Sequence, residues 1–175
     1  MEQKASVLVV VGVFVVGFIA AAMLLAVPIG STGPVLTGAM IQQMPCMSTD
    51  GFVETTVDVG ISTIHLESGC RRLVMSTNAL QTYSINTGIN EIRGARPTTH
   101  DTIKDMMETF EMRPLIVKIT SLSQGTYFAK MAVTQGSKVL DMDIRPSDAI
   151  AIAVRTGTPV YVNVTLLEEN GEFIC

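Results

Sequence analysis

The sequence lacks the short motifs by which many enzymes are recognised. It has no glycine-rich phosphate loop, no nucleophile elbow and no cysteine or histidine spacing typical of zinc. Its three cysteines, Cys46, Cys70 and Cys175, are odd in number. These absences argue against a P-loop enzyme, a zinc protein and an esterase of the α/β-hydrolase type.

Charge is also scarce, and the balance is not basic. Charged residues make up 16% of the chain, and the formal net charge is −4. Broad non-specific binding of nucleic acid depends on basic surface and counterion release, so a net negative charge argues against it. A small local basic site is compatible with this net charge. At 47% hydrophobic residues the chain is more apolar than an ordinary soluble domain, and the excess lies at the N-terminus.

The N-terminal segment 5–27 contains no charged residue. As a helix it would span about 34 Å, enough for a hydrocarbon core of about 30 Å. We therefore predict a single-pass transmembrane anchor at 1–27. A cleaved signal peptide ending near Ala20-Ala21-Ala22 is the alternative, but the single Lys4 is a poor basic region for one.

The orientation of this anchor rests on very few charges. Lys4 precedes the segment, and no Lys or Arg follows until Arg71. The positive-inside rule then predicts a cytoplasmic N-terminus and a domain outside. Outside, Cys46 and Cys70 could pair and leave Cys175 free, whereas inside all three thiols would stay reduced.

After the anchor, residues 28–48 are rich in Pro, Gly, Ser and Thr and predict a linker, so the folded domain comprises 49–175. Runs of strands with few helices predict an α+β domain, with a mixed, largely antiparallel sheet and two or three packed helices. The predicted strands are 52–59, 62–67, 73–75, 115–120, 126–134, 138–144 and 159–166. The predicted helices begin near Thr77 or Asn78, at Thr98 with a buried stripe of Ile103, Met106, Met107 and Phe110, and at Pro146.

Acidic residues concentrate where the sixth of these strands meets the last helix. The strand alternates, so Asp141 and Asp143 share a face. Pro146 suits the first turn of a helix, and Asp148 suits its positive end. A purely structural interpretation is also open, in which Asp148 caps the helix, Arg145 pairs with Asp143 and Asp141 is solvated.

Two helix starts share one design. Arg96-Pro97-Thr98 and Arg145-Pro146-Ser147 are each followed by an aspartate in the first turn, Asp101 or Asp148. The parallel fits either an internal duplication or common helix-start chemistry. If the two starts face each other, they form one polar cluster, which comprises Arg96, His100, Asp101, Asp143, Arg145 and Asp148.

Four segments add a signal through their order and spacing. They are Arg96-Pro97-Thr98-Thr99-His100-Asp101, Gly125-Thr126-Tyr127-Phe128-Ala129, residues 143–155 and Pro159-Val160-Tyr161-Val162. Together they resemble the bifunctional nuclease (BFN, DNase/RNase) domain over roughly 53–166. The resemblance implies an α+β fold, homo-oligomers, and an activity on DNA and RNA of the kind reported for plant members. The N-terminal span and linker depart from the family pattern, since most members look soluble.

A nuclease must activate water and neutralise charge on the phosphate. We expect Asp143 and Asp148, with Asp141, to hold Mg²⁺ or Mn²⁺. His100 would serve as general base or acid, and Arg145 and Arg96 would bind phosphate oxygens. Each has a structural alternative: a surface histidine for His100, and partners of nearby aspartates for the two arginines. Asp101 is expected to be a helix cap, and His65 to be structural.

Two hypotheses from other classes stay open. The acidic balance and the tether favour a non-catalytic, membrane-tethered binding or assembly module. An extracytoplasmic subunit of a larger membrane complex is the third. Both differ from a nuclease in lacking phosphodiester cleavage, which a direct assay detects.

Overall fold

The computed structural model describes residues 39–40 and 44–175. The predicted anchor at 1–27 and most of the predicted linker lie outside these residues. Within the described ranges, no helix is both long and apolar enough to span a bilayer.

Eight strands and four α-helices follow one another between Phe52 and Cys175. The strands are β1 (Phe52–Val59), β2 (Thr63–Ser68), β3 (Arg71–Ser76), β4 (Arg113–Ser123), β5 (Thr126–Gln135), β6 (Lys138–Ile144), β7 (Val160–Asn163) and β8 (Glu172–Phe173). The helices are α1 (Ala79–Ile89), α2 (Thr99–Thr109), α3 (Pro146–Thr156) and α4 (Val164–Asn170). The predicted α+β class is confirmed, but the domain has four α-helices where two or three were expected.

All eight strands form one sheet in the order β6-β5-β4-β7-β1-β2-β3-β8. Only β4 and β7 pair in parallel, and the other neighbours are antiparallel. The meander β4-β5-β6 and the largely antiparallel sheet agree with the prediction. Parallel pairing of β4 with β7 requires a crossover, and α3 lies within the segment that makes it.

The helices cover one face of the sheet. Each of the four contributes to the same buried core, through residues such as Ile85, Met107, Ile150 and Leu167. Alternation along the strands sends every second side chain the other way. That opposite face, called the open face below, carries polar side chains that include Lys118, Lys130 and Asp141.

The second predicted helix forms, but its buried stripe is narrower than expected. Thr98 caps α2 as predicted: its hydroxyl accepts from Asp101 N, and Asp101 accepts from Thr98 N. Met107 is buried, whereas Met106 and Phe110 are more than half exposed. The helix ends at Thr109, so Phe110 no longer follows its stripe.

The predicted last strand, 159–166, is wrong in its second half. The strand ends at Asn163, whose side chain accepts a hydrogen bond from Leu166 N at 3.1 Å. An asparagine in this role opens a helix, and α4 begins at the next residue. Leu166 and Leu167 are buried by this helix rather than by a strand.

The pairing of Cys46 with Cys70, considered possible for a domain outside the membrane, does not form. Cys70 forms a disulfide with Cys175, and Cys46 is free and half-buried. The short strand β8 pairs with the start of β3, and Ile174 N donates to Cys70 O at 3.1 Å. The end of the chain is therefore held against Cys70, which sequence spacing does not reveal.

Candidate functional site

The N-terminal turns of α2 and α3 meet at one edge of the helical layer. His100 lies in the first turn of α2, and Asp148 lies in the first turn of α3. The Nε2 atom of His100 is 3.5 Å from Oδ1 of Asp148. The structure thus brings together two residues 48 positions apart in the chain, as the shared design of the two helix starts suggested.

The two helix starts use their aspartates differently. Asp101 caps its own helix through Thr98. Asp148 makes no cap, since the amides of Asp148 and Ala149 donate to the carbonyl of Arg145 at 3.0 Å. The carboxylate of Asp148 is free for other partners, and Arg145 Nε donates to its Oδ2 at 2.6 Å. Asp148 therefore does not cap its helix, and Arg145 does not pair with Asp143. The broader structural alternative holds for Arg145, which pairs with a nearby aspartate, Asp148.

His100 is held at both ring nitrogens. Nδ1 lies 2.9 Å from Ser84 Oγ, on α1, and the histidine side chain is 15% exposed. Burial lowers the pKa of His100 below 6.5, and the positive charge of Arg155 lowers it further against the opposing effect of Asp148. The ring is therefore neutral at neutral pH. Because only 15% of the side chain is exposed, the alternative of a surface histidine does not describe His100.

A buried ion pair between Arg155 and Asp101 lies next to the histidine. Arg155 Nε donates to Asp101 Oδ1 at 2.7 Å, and the two side chains are 4% and 11% exposed. The remaining guanidinium nitrogens donate to Ala151 O at 2.8 Å and to Thr87 Oγ1 at 3.1 Å, and Nη2 lies 3.5 Å from Ser84 Oγ. This arginine links α1, α2 and α3 around the site.

The pKa of Asp101 reflects this environment. Burial alone would raise the pKa, but hydrogen bonds from Arg155 and Thr98 outweigh burial and lower it to about 2. Asp101 is thus an ionised structural group at neutral pH. It acts as the helix cap that the sequence predicted and also as the counter-ion of Arg155.

Ser84 and Arg155 were missed by the sequence prediction. A weak signal existed for each, because Arg155 is the one charged residue in the second half of an apolar helix. In α1 the buried side contains Thr82, Ser84 and Thr87 instead of an apolar stripe. Buried hydroxyls on one helix face require polar partners, and here the partners include an arginine and a histidine.

Arg145 presents two unpaired nitrogens at the surface. Its side chain is 73% exposed, and only Nε is engaged, by Asp148. Among the described residues, the two terminal nitrogens have no hydrogen-bond partner. They are available for a bidentate contact with an anion such as phosphate.

The other predicted site residues lie elsewhere. Asp141 Oδ2 is 3.1 Å from Lys130 Nζ, and Asp143 is opposite Lys130 in the β5–β6 register. Both aspartates are on the open face, whereas Asp148 belongs to the helical layer. Arg96 is exposed and makes no salt bridge within residues 44–175.

The residues predicted to bind Mg²⁺ or Mn²⁺ do not lie together. No group of three or more His, Cys, Asp or Glu side chains in the described part of the chain is arranged to hold a metal ion. Asp141 is engaged by Lys130, and Asp148 by Arg145 and His100. Because these donors do not fit a common ion, we derive no chemical step through a metal.

Comparison with known protein families identifies the family of this chain. The bifunctional nuclease domain matches residues 64–174, more than half of the chain. The chain belongs to the bifunctional nuclease domain family. This confirms the resemblance seen in the four sequence segments, and it relates the chain to nucleases at the level of the family.

Individual relatives match shorter stretches. An uncharacterized protein of Mycobacterium tuberculosis is 38% identical over 79 residues, which are 45% of this chain and 46% of that protein. Bifunctional nuclease 2 of Arabidopsis thaliana is 34% identical over 86 residues, 47% of this chain and 26% of the plant protein. Bifunctional nuclease 1 of Oryza sativa subsp. japonica is 28% identical over 102 residues, which are 57% of this chain and 30% of the rice protein. The chain therefore spans less than half the length of these relatives.

Proposed function

We propose that this domain hydrolyses phosphodiester bonds of DNA and RNA at the centre formed by His100, Asp148 and Arg145. The observation that carries the proposal is the contact of His100 with Asp148 across two helix N-termini, 3.5 Å between Nε2 and Oδ1. A histidine, a carboxylate and an arginine with two unpaired terminal nitrogens supply a base, its counter-ion and a phosphate ligand. Membership in the bifunctional nuclease domain family supports the same chemistry.

In this proposal His100 is the general base. Its lowered pKa keeps the ring neutral, as proton abstraction from water requires. Because Nε2 is the unprotonated nitrogen in this step, Nδ1 carries the proton of the neutral ring and donates to the Ser84 hydroxyl before and after proton uptake. As Nε2 takes a proton from the attacking water, the water oxygen bonds to phosphorus and the ester P–O bond breaks. The imidazolium ion, stabilised by Asp148, then returns the proton to the leaving oxygen.

Arg145 binds the scissile phosphate. Its terminal nitrogens contact two non-bridging oxygens and compensate the charge that builds up as water attacks. The positive end of the α3 dipole acts in the same direction. Asp148 orients the guanidinium through Nε, so one carboxylate positions both the base and the phosphate ligand.

Ser84, Asp101 and Arg155 are positioning residues. None is exposed enough to reach a nucleic acid, since the side chain of Arg155 is 4% exposed and the residues Ser84 and Asp101 are buried. They fix the ring plane of His100 and the spacing of the three helices. A productive geometry depends on this support as much as on the reacting groups.

We further propose that the segment 5–27 anchors the domain to a membrane, with the domain on the outer side. The Cys70–Cys175 disulfide supports the outer location, because disulfides persist mainly in oxidising compartments. Assembly into homo-oligomers is a prediction that size measurement on the intact protein would test.

The test of the nuclease proposal is a comparison of its two histidines. His100→Gln removes the base. His65→Gln is the matched control, because His65 also contacts a hydroxyl, Thr63 Oγ1 at 3.0 Å, and lies 3.7 Å from an aspartate, Asp58, but on β2. Full-length proteins are incubated with labelled single- and double-stranded DNA and RNA, with Mg²⁺, Mn²⁺ or EDTA.

We expect His100→Gln to lose about a hundredfold or more in cleavage rate, and His65→Gln to retain the wild-type rate. Equal cleavage by both variants would remove His100 from the mechanism. Nucleic-acid binding without cleavage by folded wild-type protein would favour the non-catalytic module instead. The EDTA arm tests the predicted Mg²⁺ or Mn²⁺ dependence separately.

A further inference from the structure

A pocket of about 250 Å³ opens directly beside Arg145. It is formed where the start of β2, the end of β3, the first turn of α1 and the β4–β5 hairpin meet the N-terminus of α3. The mechanism described above uses only Arg145 from its lining. We call it the hairpin pocket; its lining includes Met75, Gln81, Tyr127, Arg145 and Ser147.

Ser147 gives the hairpin pocket an anion-binding end. The residue is 8% exposed, and neither its hydroxyl nor its backbone N–H has a hydrogen-bond partner among the described residues. Pro146 has no N–H, and the amides of Asp148 and Ala149 donate to Arg145 O, so the N–H of Ser147 is the free donor of this helix turn. No buried side-chain oxygen or nitrogen of the described residues lacks a partner, so the unpaired Ser147 hydroxyl is open to the cavity, beside the unpaired terminal nitrogens of Arg145.

Other residues that line the hairpin pocket suit a flat, partly polar ring. Tyr127 is half-buried and supplies an aromatic face, and Met75 and Ile64 supply apolar walls. The Gln81 side chain accepts from Thr77 through Oε1, while its amide nitrogen has no partner within the described residues. Aromatic stacking with one or two amide or hydroxyl contacts is how proteins bind unstacked bases.

We propose that the hairpin pocket takes a single nucleobase from single-stranded DNA or RNA, with the adjoining phosphate at Ser147 and Arg145. The inference deepens the proposed nuclease function and rests on it. The pocket volume is below that of common ligand sites of about 300 Å³ and above, so it admits one base and not a base pair. Bases in a duplex are stacked and paired, so single strands should be the preferred ligands.

The test measures binding to the full-length protein by isothermal titration calorimetry. The probes are inorganic phosphate, nucleoside 5′-monophosphates, a short single-stranded oligonucleotide and a hairpin duplex of the same composition. The variants are Ser147→Ala, which removes the hydroxyl, Tyr127→Leu, which removes the aromatic face, and Tyr127→Phe, which keeps it.

We expect Ser147→Ala to weaken both phosphate and nucleotide binding about tenfold. Tyr127→Leu should weaken nucleotide binding by a factor of about five or more and leave phosphate binding unchanged, whereas Tyr127→Phe should bind both like the wild type. The single strand should bind more tightly than the duplex.

The outcomes separate this inference from the nuclease proposal. If cleavage depends on His100 but Ser147→Ala and Tyr127→Leu bind like the wild type, the hairpin pocket is overturned and the nuclease stands. Nucleotides that bind no more tightly than inorganic phosphate overturn the base-binding role. Binding that depends on Ser147 and Tyr127, in a protein whose cleavage does not need His100, supports the pocket and removes the proposed catalytic centre.

Discussion

At the scale of single residues, the lowered pKa of His100 predicts the pH below which cleavage declines. The neutral ring is the reactive form, and burial with the charge of Arg155 shifts its pKa below 6.5. The acid limb of the cleavage rate should therefore have its midpoint below pH 6.5. The measurement is kcat/KM against pH for the wild type.

His100→Gln provides the control for this profile. Its residual activity should lack the acid limb, because glutamine does not titrate. A wild-type limb centred above 6.5, or the same limb in His100→Gln, would assign the titration to another group.

At the scale of helices, the Arg155–Asp101 pair predicts a large loss of stability. Asp101→Asn removes the counter-ion of a guanidinium that is 4% exposed, and breaking a buried pair on one side costs about 3 kcal/mol. Asp105→Asn is the matched control on the same helix, because Asp105 also binds an arginine, Arg93, at 3.0 Å but at an exposed site. That pair should contribute less than about 1 kcal/mol. Chemical denaturation of both variants measures the difference.

The pH dependence of stability has a definite sign for the same pair. The pKa of Asp101 is about 2 in the folded state against 3.8 ordinarily, so its stabilisation is present above pH 3.8 and is lost as pH falls towards 2. Asp101→Asn should lack this component of acid denaturation. If Asp101→Asn and the wild type lost stability equally between pH 3.8 and 2, Asp101 would not be the group that titrates.

How well the elements were predicted depended on whether their signals are local. β6, α3 and the cap of α2 come from alternation, proline and a Thr-to-Asp spacing within a few residues. β7 and the start of α4 were predicted as one strand, because Asn163 ends a strand whose apolar pattern continues into the helix. β8 has two residues and exists only through pairing with β3, so no local pattern marks it.

The candidate site was predictable to a similar degree. The facing helix starts could be suggested from their shared design, which placed His100, Arg145 and Asp148 in one cluster. Ser84 and Arg155 belong to contacts that only packing of α1 against α3 creates. Asp143 was misplaced because alternation fixes which residues share a face, but not which face the helices cover.

At the scale of the whole molecule, the Cys70–Cys175 disulfide closes a sequence separation of 105 residues around the sheet. Closing so long a loop restricts the unfolded chain, and such cross-links typically contribute about 2–4 kcal/mol. Cys175→Ser should therefore lower the free energy of unfolding by about 3 kcal/mol, whereas Cys46→Ser, which removes the free thiol, should leave it nearly unchanged. Denaturation with and without reductant measures this, and reductant should affect the wild type and Cys46→Ser but not Cys175→Ser. If reductant changes none of the three proteins, the chain end is not held to β3 by this bond, and the argument for an oxidising compartment fails with it.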